Sequence, residues 1–213
     1  MHRTIVFLGP SLDRHSAEQI LPAEYRPPAR RGDILAAVRD GAKIICLIDG
    51  VFHQDSAVGH REILSALKAG VRVIGASSMG ALRAAELDTL GMVGIGEIYR
   101  MYRSGELVSD DEVALVFDPD TGIALSEPLV NIRCTLQNAL CDDVIDAAAH
   151  DALLAAAQSL FYPLLTYARM ITAAESTTDA GTRDRFASWV RDHACDRKRE
   201  DAVAALEHIK SNV

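Results

Sequence analysis

The stretch Val71-Arg72-Val73-Ile74-Gly75-Ala76-Ser77-Ser78-Met79-Gly80-Ala81-Leu82-Arg83-Ala84-Ala85-Glu86 decides the fold class of this 213-residue chain. Its first part is a short apolar run between Gly70 and Gly75, the pattern of a strand covered on both faces of a parallel sheet. From Met79 to Leu90 good helix formers dominate, so the stretch predicts a strand, a sharp turn and a helix. Two serines occupy the turn. A hydroxyl there lies beside the unpaired N–H groups of a helix's first turn, where a developing oxyanion or a carboxylate is stabilised.

On the N-terminal side, Ile5 to Leu8 and Ile44 to Ile48 read as two more strands, ended by Gly9-Pro10-Ser11 and by Asp49-Gly50. Helices are expected to Ile20 after an Asp13 or Ser11 cap, from Ile34 to Asp40 behind Asp33, and from about Ser56 to Ala69. Pro22 to Arg31, basic and carrying Pro27-Pro28, reads as an extended connection. Strands alternating with helices predict an α/β fold, a parallel-type sheet flanked by helices. Such sheets bind ligands beyond the carboxyl ends of their strands, which brings forward Asp49 and Ser11. The alternative for Asp49 is to fix its own turn.

On the C-terminal side, Ile95 to Arg103 predicts an amphipathic segment and Val113 to Phe117 a further strand. Ser109 to Glu112 reads as a solvated acidic turn, with metal or partner contact as the alternative. From Leu129 onward three helical stripes follow: Ile145, Ala149, Leu153, Ala156 and Leu160; Phe186, Trp189 and Val190; Ala202, Leu206 and Ile209. They predict a C-terminal all-helical layer or subdomain over residues 126–213, packed on an α/β core of residues 1–125.

A net charge of −8 argues against a general nucleic-acid or anionic-membrane binder, and no apolar run reaches membrane-spanning length. Cys46, Cys134, Cys141 and Cys195 show neither a CxxC pair nor metal-type spacing. They are expected to be reduced, mostly buried thiols in a cytoplasmic protein with no metal. Without a phosphate-binding glycine signature, no cofactor is expected either.

The segment Ala76-Ser77-Ser78-Met79-Gly80 is similar to the hydrolase nucleophile elbow G-x-S-x-G, with Ala in place of the first Gly. That frame makes Ser78 the nucleophile and the N–H groups of Met79 and Gly80 the oxyanion donors. An anion-binding helix start and a plain N-cap serine are the competing readings. His60 is the nearest candidate base, provided it sits at the start of its helix, and a packing histidine is its alternative. Arg61 stays protonated, so it can bind a carboxylate but cannot serve as a base. Arg83 and Glu86 are spaced as a helical ion pair. Lys198 is a more distant base candidate within Lys198-Arg199-Glu200-Asp201, which reads by default as a solvated helix start.

Phe7 to Leu12 (F-L-G-P-S-L), Ile48 to Phe52 (I-D-G-V-F), His60 to Leu64 (H-R-E-I-L) and Ser78 to Leu87 (S-M-G-A-L-R-A-A-E-L) carry a resemblance to the TfuA-like family. Asp110 to Ala114, Pro128 to Arg133 and Lys198 to Ala202 extend it over nearly the whole chain. It implies a helper of YcaO enzymes, which use ATP to exchange the oxygen of a peptide amide for sulfur. It further implies hydrolysis of a thiocarboxylated ThiS-like sulfur carrier to release sulfide, with a serine-lysine pair. Ser78 is the serine it carries over. Family members often have H-K-E-I-L where this chain has His60-Arg61-Glu62, so the lysine of the pair is either replaced by Arg61 or supplied by Lys198. A non-catalytic adaptor that binds the YcaO enzyme and presents peptide or carrier is the second reading.

Overall fold

The computed structural model describes residues 3–52, 56–118 and 121–212. The chain forms two compact units, one of residues 1–110 and 198–213, the other of residues 111–197. The first unit holds the sheet. Its strands are β1 (Thr4–Phe7), β2 (Glu24–Arg26), β3 (Ile44–Leu47), β4 (Arg72–Ala76) and β5 (Val93–Ile95), all parallel in the order β2-β1-β3-β4-β5. The strand order reverses between β1 and β3, which places a crevice for ligands at their carboxyl ends.

Strand periodicity explains both faces. Ile5, Phe7, Ile45, Leu47 and Val73 point to one side, where α2 (Asp33–Arg39), α3 (His60–Lys68) and α4 (Met79–Leu87) cover them with Ile34, Ala37, Ile63, Ala66, Ala84 and Leu87. Val6, Ile44, Cys46, Ile48, Ile74 and Ala76 point to the other. That side is covered by Ala17 of α1 (Arg14–Ile20) and by Ala202, Ala205, Leu206 and Ile209 of α10 (Arg197–Ser211). α5 (Glu97–Ser104) follows β5.

The second unit contains α6 (Leu129–Cys141), α7 (Ala147–Ser159), α8 (Tyr167–Ala173) and α9 (Ala180–His193) around a core that includes Ile132, Leu136, Leu153, Met170 and Phe186. No helix among the described residues is long and apolar enough to cross a membrane.

Several local expectations are corrected. Pro22 to Arg31 is not simply an extended connection, because Glu24–Arg26 pairs with β1 as an edge strand. The residues before α5 hold a strand that the sequence pattern did not predict, β5, paired with β4. Val113 to Phe117 is not a strand, and Phe117 forms an isolated antiparallel bridge to Ala124. The acidic turn does not simply point to solvent: Glu112 is buried and takes two hydrogen bonds from Arg133, of 2.8 and 2.9 Å. The four cysteines are not all reduced, since Cys134 and Cys195 form a disulfide while Cys46 is a buried and Cys141 an exposed thiol. Compared with a division near residue 125, the observed units differ chiefly in α10, whose apolar stripe completes the open face of the sheet.

Candidate active site

β4 ends at Ala76, and the Ser78 N–H donates to the Ala76 carbonyl at 2.8 Å, closing a three-residue turn around Ser77. Ser77 has φ +66°, the left-handed region that a side chain with a Cβ enters at a cost of about 1–2 kcal/mol. Its hydroxyl is fully buried and has no hydrogen-bond partner among the described residues, a further cost of about 1–3 kcal/mol. Ser78, also buried, caps α4 with its backbone: its carbonyl accepts from Ala81 and Leu82, and its side chain makes no capping bond.

The helix after this turn runs in backbone contact with the strands. A Cβ on Gly80 would lie 1.8 Å from the Leu47 carbonyl oxygen, and one on Gly75 would lie 2.2 Å from that of Gly80. These two glycines make the strand-to-helix reversal this tight. The same closeness removes one expected oxyanion donor, because the Gly80 N–H donates to the Ile48 carbonyl at 3.2 Å. The Met79 N–H has no backbone acceptor among the described residues and remains a donor at the turn.

Beside the turn, at the ends of β1 and β3, Asp49 is 1% exposed. One carboxylate oxygen accepts the N–H groups of Gly9 (2.8 Å) and Ser11 (3.2 Å), and the other accepts the Ser11 hydroxyl (2.6 Å). Asp49 and Ser11 are therefore brought together, and their polar atoms are spent on pinning the β1 loop to the end of β3. This favours the turn-fixing reading of Asp49 over a general acid or base.

The residues preceding and opening α3 are turned to other tasks. His60 is the first residue of that helix, yet its side chain is half exposed and its Nε2 contacts Glu86 of α4 at 2.7 Å. Arg61 is exposed on the same turn. Arg83 bonds the Val58 carbonyl at 2.9 Å and Glu86 at 2.7 Å, which makes it a clamp between α4 and the segment before α3. Its spacing to Glu86 gave that pair in the sequence.

Lys198 is the opposite case. Only 2% exposed, it is not part of a solvated helix start. It lies one turn before Ala202 on the stripe of α10 that packs against Ile48, Ile74 and Ala76. The direction of α10 follows from its two ends. Asp201 accepts the N–H groups of Glu97 and Ile98, both at 2.8 Å, just past the carboxyl end of β5. His208 lies 3.3 Å from Arg72, at the start of β4. Lys198 thus sits at the carboxyl edge of the sheet, the edge that carries Ser77 and Ser78. Asp201, which sequence reasoning passed over, is legible only once this charged run is placed on the buried face.

A family model described as TfuA-like protein matches residues 49–166. The chain belongs to the TfuA-like family. This supports a role associated with thioamidation, in a family associated in general with YcaO-type partners. No curated protein matches the chain. The matched residues of this TfuA-like protein include Asp49, His60 and both serines but stop before Lys198.

Proposed function

We propose that this TfuA-like protein hydrolyses the thiocarboxylated C-terminus of a ThiS-like sulfur carrier and so supplies sulfide to a YcaO enzyme acting on a peptide. The observation that carries this reading is the buried serine turn at the carboxyl edge of a parallel sheet, with Lys198 buried on the helix that crosses the same edge. In the proposed reaction a serine hydroxyl of the turn attacks the thiocarboxylate carbon, and a neutral Lys198 amine takes the serine proton. The Met79 N–H, directed from the first turn of α4, stabilises the oxyanion. Carbon–sulfur cleavage expels hydrosulfide, and water then hydrolyses the acyl-enzyme to a carboxylate. Arg61, exposed on α3, is not needed as the base in this scheme.

Sulfide release from a thiocarboxylated carrier is the test. Lys198→Met is expected to slow it by roughly 10²–10⁴-fold, the usual contribution of a positioned base. An unchanged rate in Lys198→Met rejects the serine-lysine pair. Capture of a YcaO partner by wild-type protein that releases no sulfide selects the adaptor reading instead.

A further inference from the structure

We infer that Ser77, and not Ser78, is the nucleophile of the serine turn; the inference rests on the hydrolase reading and deepens it. The difficulty with Ser78 begins in the sequence, where Ala76 stands in place of the first glycine of the elbow pattern. Moving the frame by one residue removes it, because Gly75-Ala76-Ser77 supplies the G-x-S half with a glycine. That glycine is required here, since a Cβ at 75 would meet the Gly80 carbonyl oxygen at 2.2 Å. The helix-side glycine is then Gly80, three residues after Ser77 instead of two, and it answers the need for close approach to the Leu47 carbonyl.

Backbone geometry separates the two serines in the same way. A nucleophile at a strand-to-helix elbow stands at the apex of a strained turn. Ser77 occupies that apex with φ +66°, whereas Ser78 has φ −110° and stands one residue further on, at the N-cap position of α4, where only its backbone caps the helix. Ser77 also carries a buried hydroxyl without a hydrogen-bond partner among the described residues. Glycine at position 77 would remove both penalties at once, so packing alone gives no reason for a serine there. Strain and an unsatisfied polar group on one residue are the signature of a site held ready for a reaction.

The step balances. The Ser77 Oγ–carbon bond forms as the carbon–sulfur bond of the thiocarboxylate breaks, with hydrosulfide leaving and the serine proton balancing its charge. Water then cleaves the ester, restoring Ser77 and giving the carrier carboxylate. No oxidant or reductant takes part.

The experiment uses the full chain and a short synthetic peptide bearing a C-terminal thiocarboxylate, with sulfide release and acid-quenched peptide mapping as readouts. Wild type is expected to release sulfide and to carry the acyl group on Ser77. Ser77→Gly is expected to lose at least about a thousandfold in release while its thermal midpoint rises, a combination that a purely structural serine does not produce. An acyl adduct on Ser78, or a Ser77→Gly protein that still turns over, overturns the assignment and leaves the hydrolase reading standing. A wild-type protein that releases no sulfide overturns both. Should Ser77→Gly fail to fold, the adduct position in wild type decides alone.

Discussion

The two units of this protein fix their backbones by different means. In the sheet unit, buried carboxylates bind loop and helix-start amides. Asp49 holds Gly9 and Ser11, and Asp201 holds the first residues of α5. In the helical unit a covalent link does comparable work: Cys134 of α6 is joined to Cys195 after α9, the Cys195 N–H donates to Thr135 Oγ1 at 2.9 Å, and Arg133 pairs with buried Glu112. Carboxylates that bind backbone N–H groups fix the rim of a crevice and leave the adjoining turn its geometry. A crosslink instead ties one helix to the chain that follows. The contrast makes the helical unit the one whose stability depends on oxidation.

The sharpest way to break the comparison is to attack the sheet unit where no side chain can yield. Gly80→Val puts a Cβ at 1.8 Å from the Leu47 carbonyl, a backbone atom, so its cost should far exceed the ~1–3 kcal/mol of ordinary overpacking. Loss of the cooperative unfolding transition, followed by circular dichroism, is the expected result. A folded Gly80→Val protein would show that α4 can move away from the strands.

The next largest effect belongs to the helical unit. A bridge between residues 61 apart in sequence restricts the unfolded chain by about 4 kcal/mol on the loop-closure model. Cys134→Ser should lower the stability of that unit by this order, read as an earlier denaturant midpoint. Alkylation of the native oxidised protein should label Cys141 alone, because Cys46 is buried and desolvation pushes its thiol up to about 12. Labelling of Cys134 without prior reduction would contradict the bridge.

The smallest effect sharpens the assignment of bases. The His60–Glu86 pair is half exposed, so His60→Ala should change stability by less than about 1 kcal/mol and leave sulfide release within a few fold of wild type. A hundredfold loss of release would return His60 to the reaction.

Much of the sheet was legible because β1, β3 and β4 are apolar runs closed by turn residues, and because α10 shows its stripe at Ala202, Leu206 and Ile209. β2 and β5 escaped for a physical reason. Each has three residues, and Glu24-Tyr25-Arg26 and Val93-Gly94-Ile95 lack the apolar density of strands buried on both faces. The two expected Asp49 and Ser11 turns do meet at one edge, since topology alone brings the ends of neighbouring parallel strands together. The left-handed backbone of Ser77 has no signature in residue type, because serine rarely adopts it. Lys198 was hidden by its charged neighbours, although its spacing to Ala202 and Leu206 already placed it on the buried stripe. The pairing of Cys134 with Cys195 depends on how α6 folds back against the chain after α9, which spacing does not encode.

The placement of α10 also sets a timetable. Residues 198–211 leave the ribosome after the whole of 111–197, yet they cover the sheet face formed by Val6, Cys46, Ile48, Ile74 and Ala76. During synthesis that face stays bare while the helical unit is being made, an apolar surface that invites chaperone binding or self-association. The same delay holds Lys198 back until α10 docks, so a nascent chain carries the proposed nucleophile without the amine proposed to activate it.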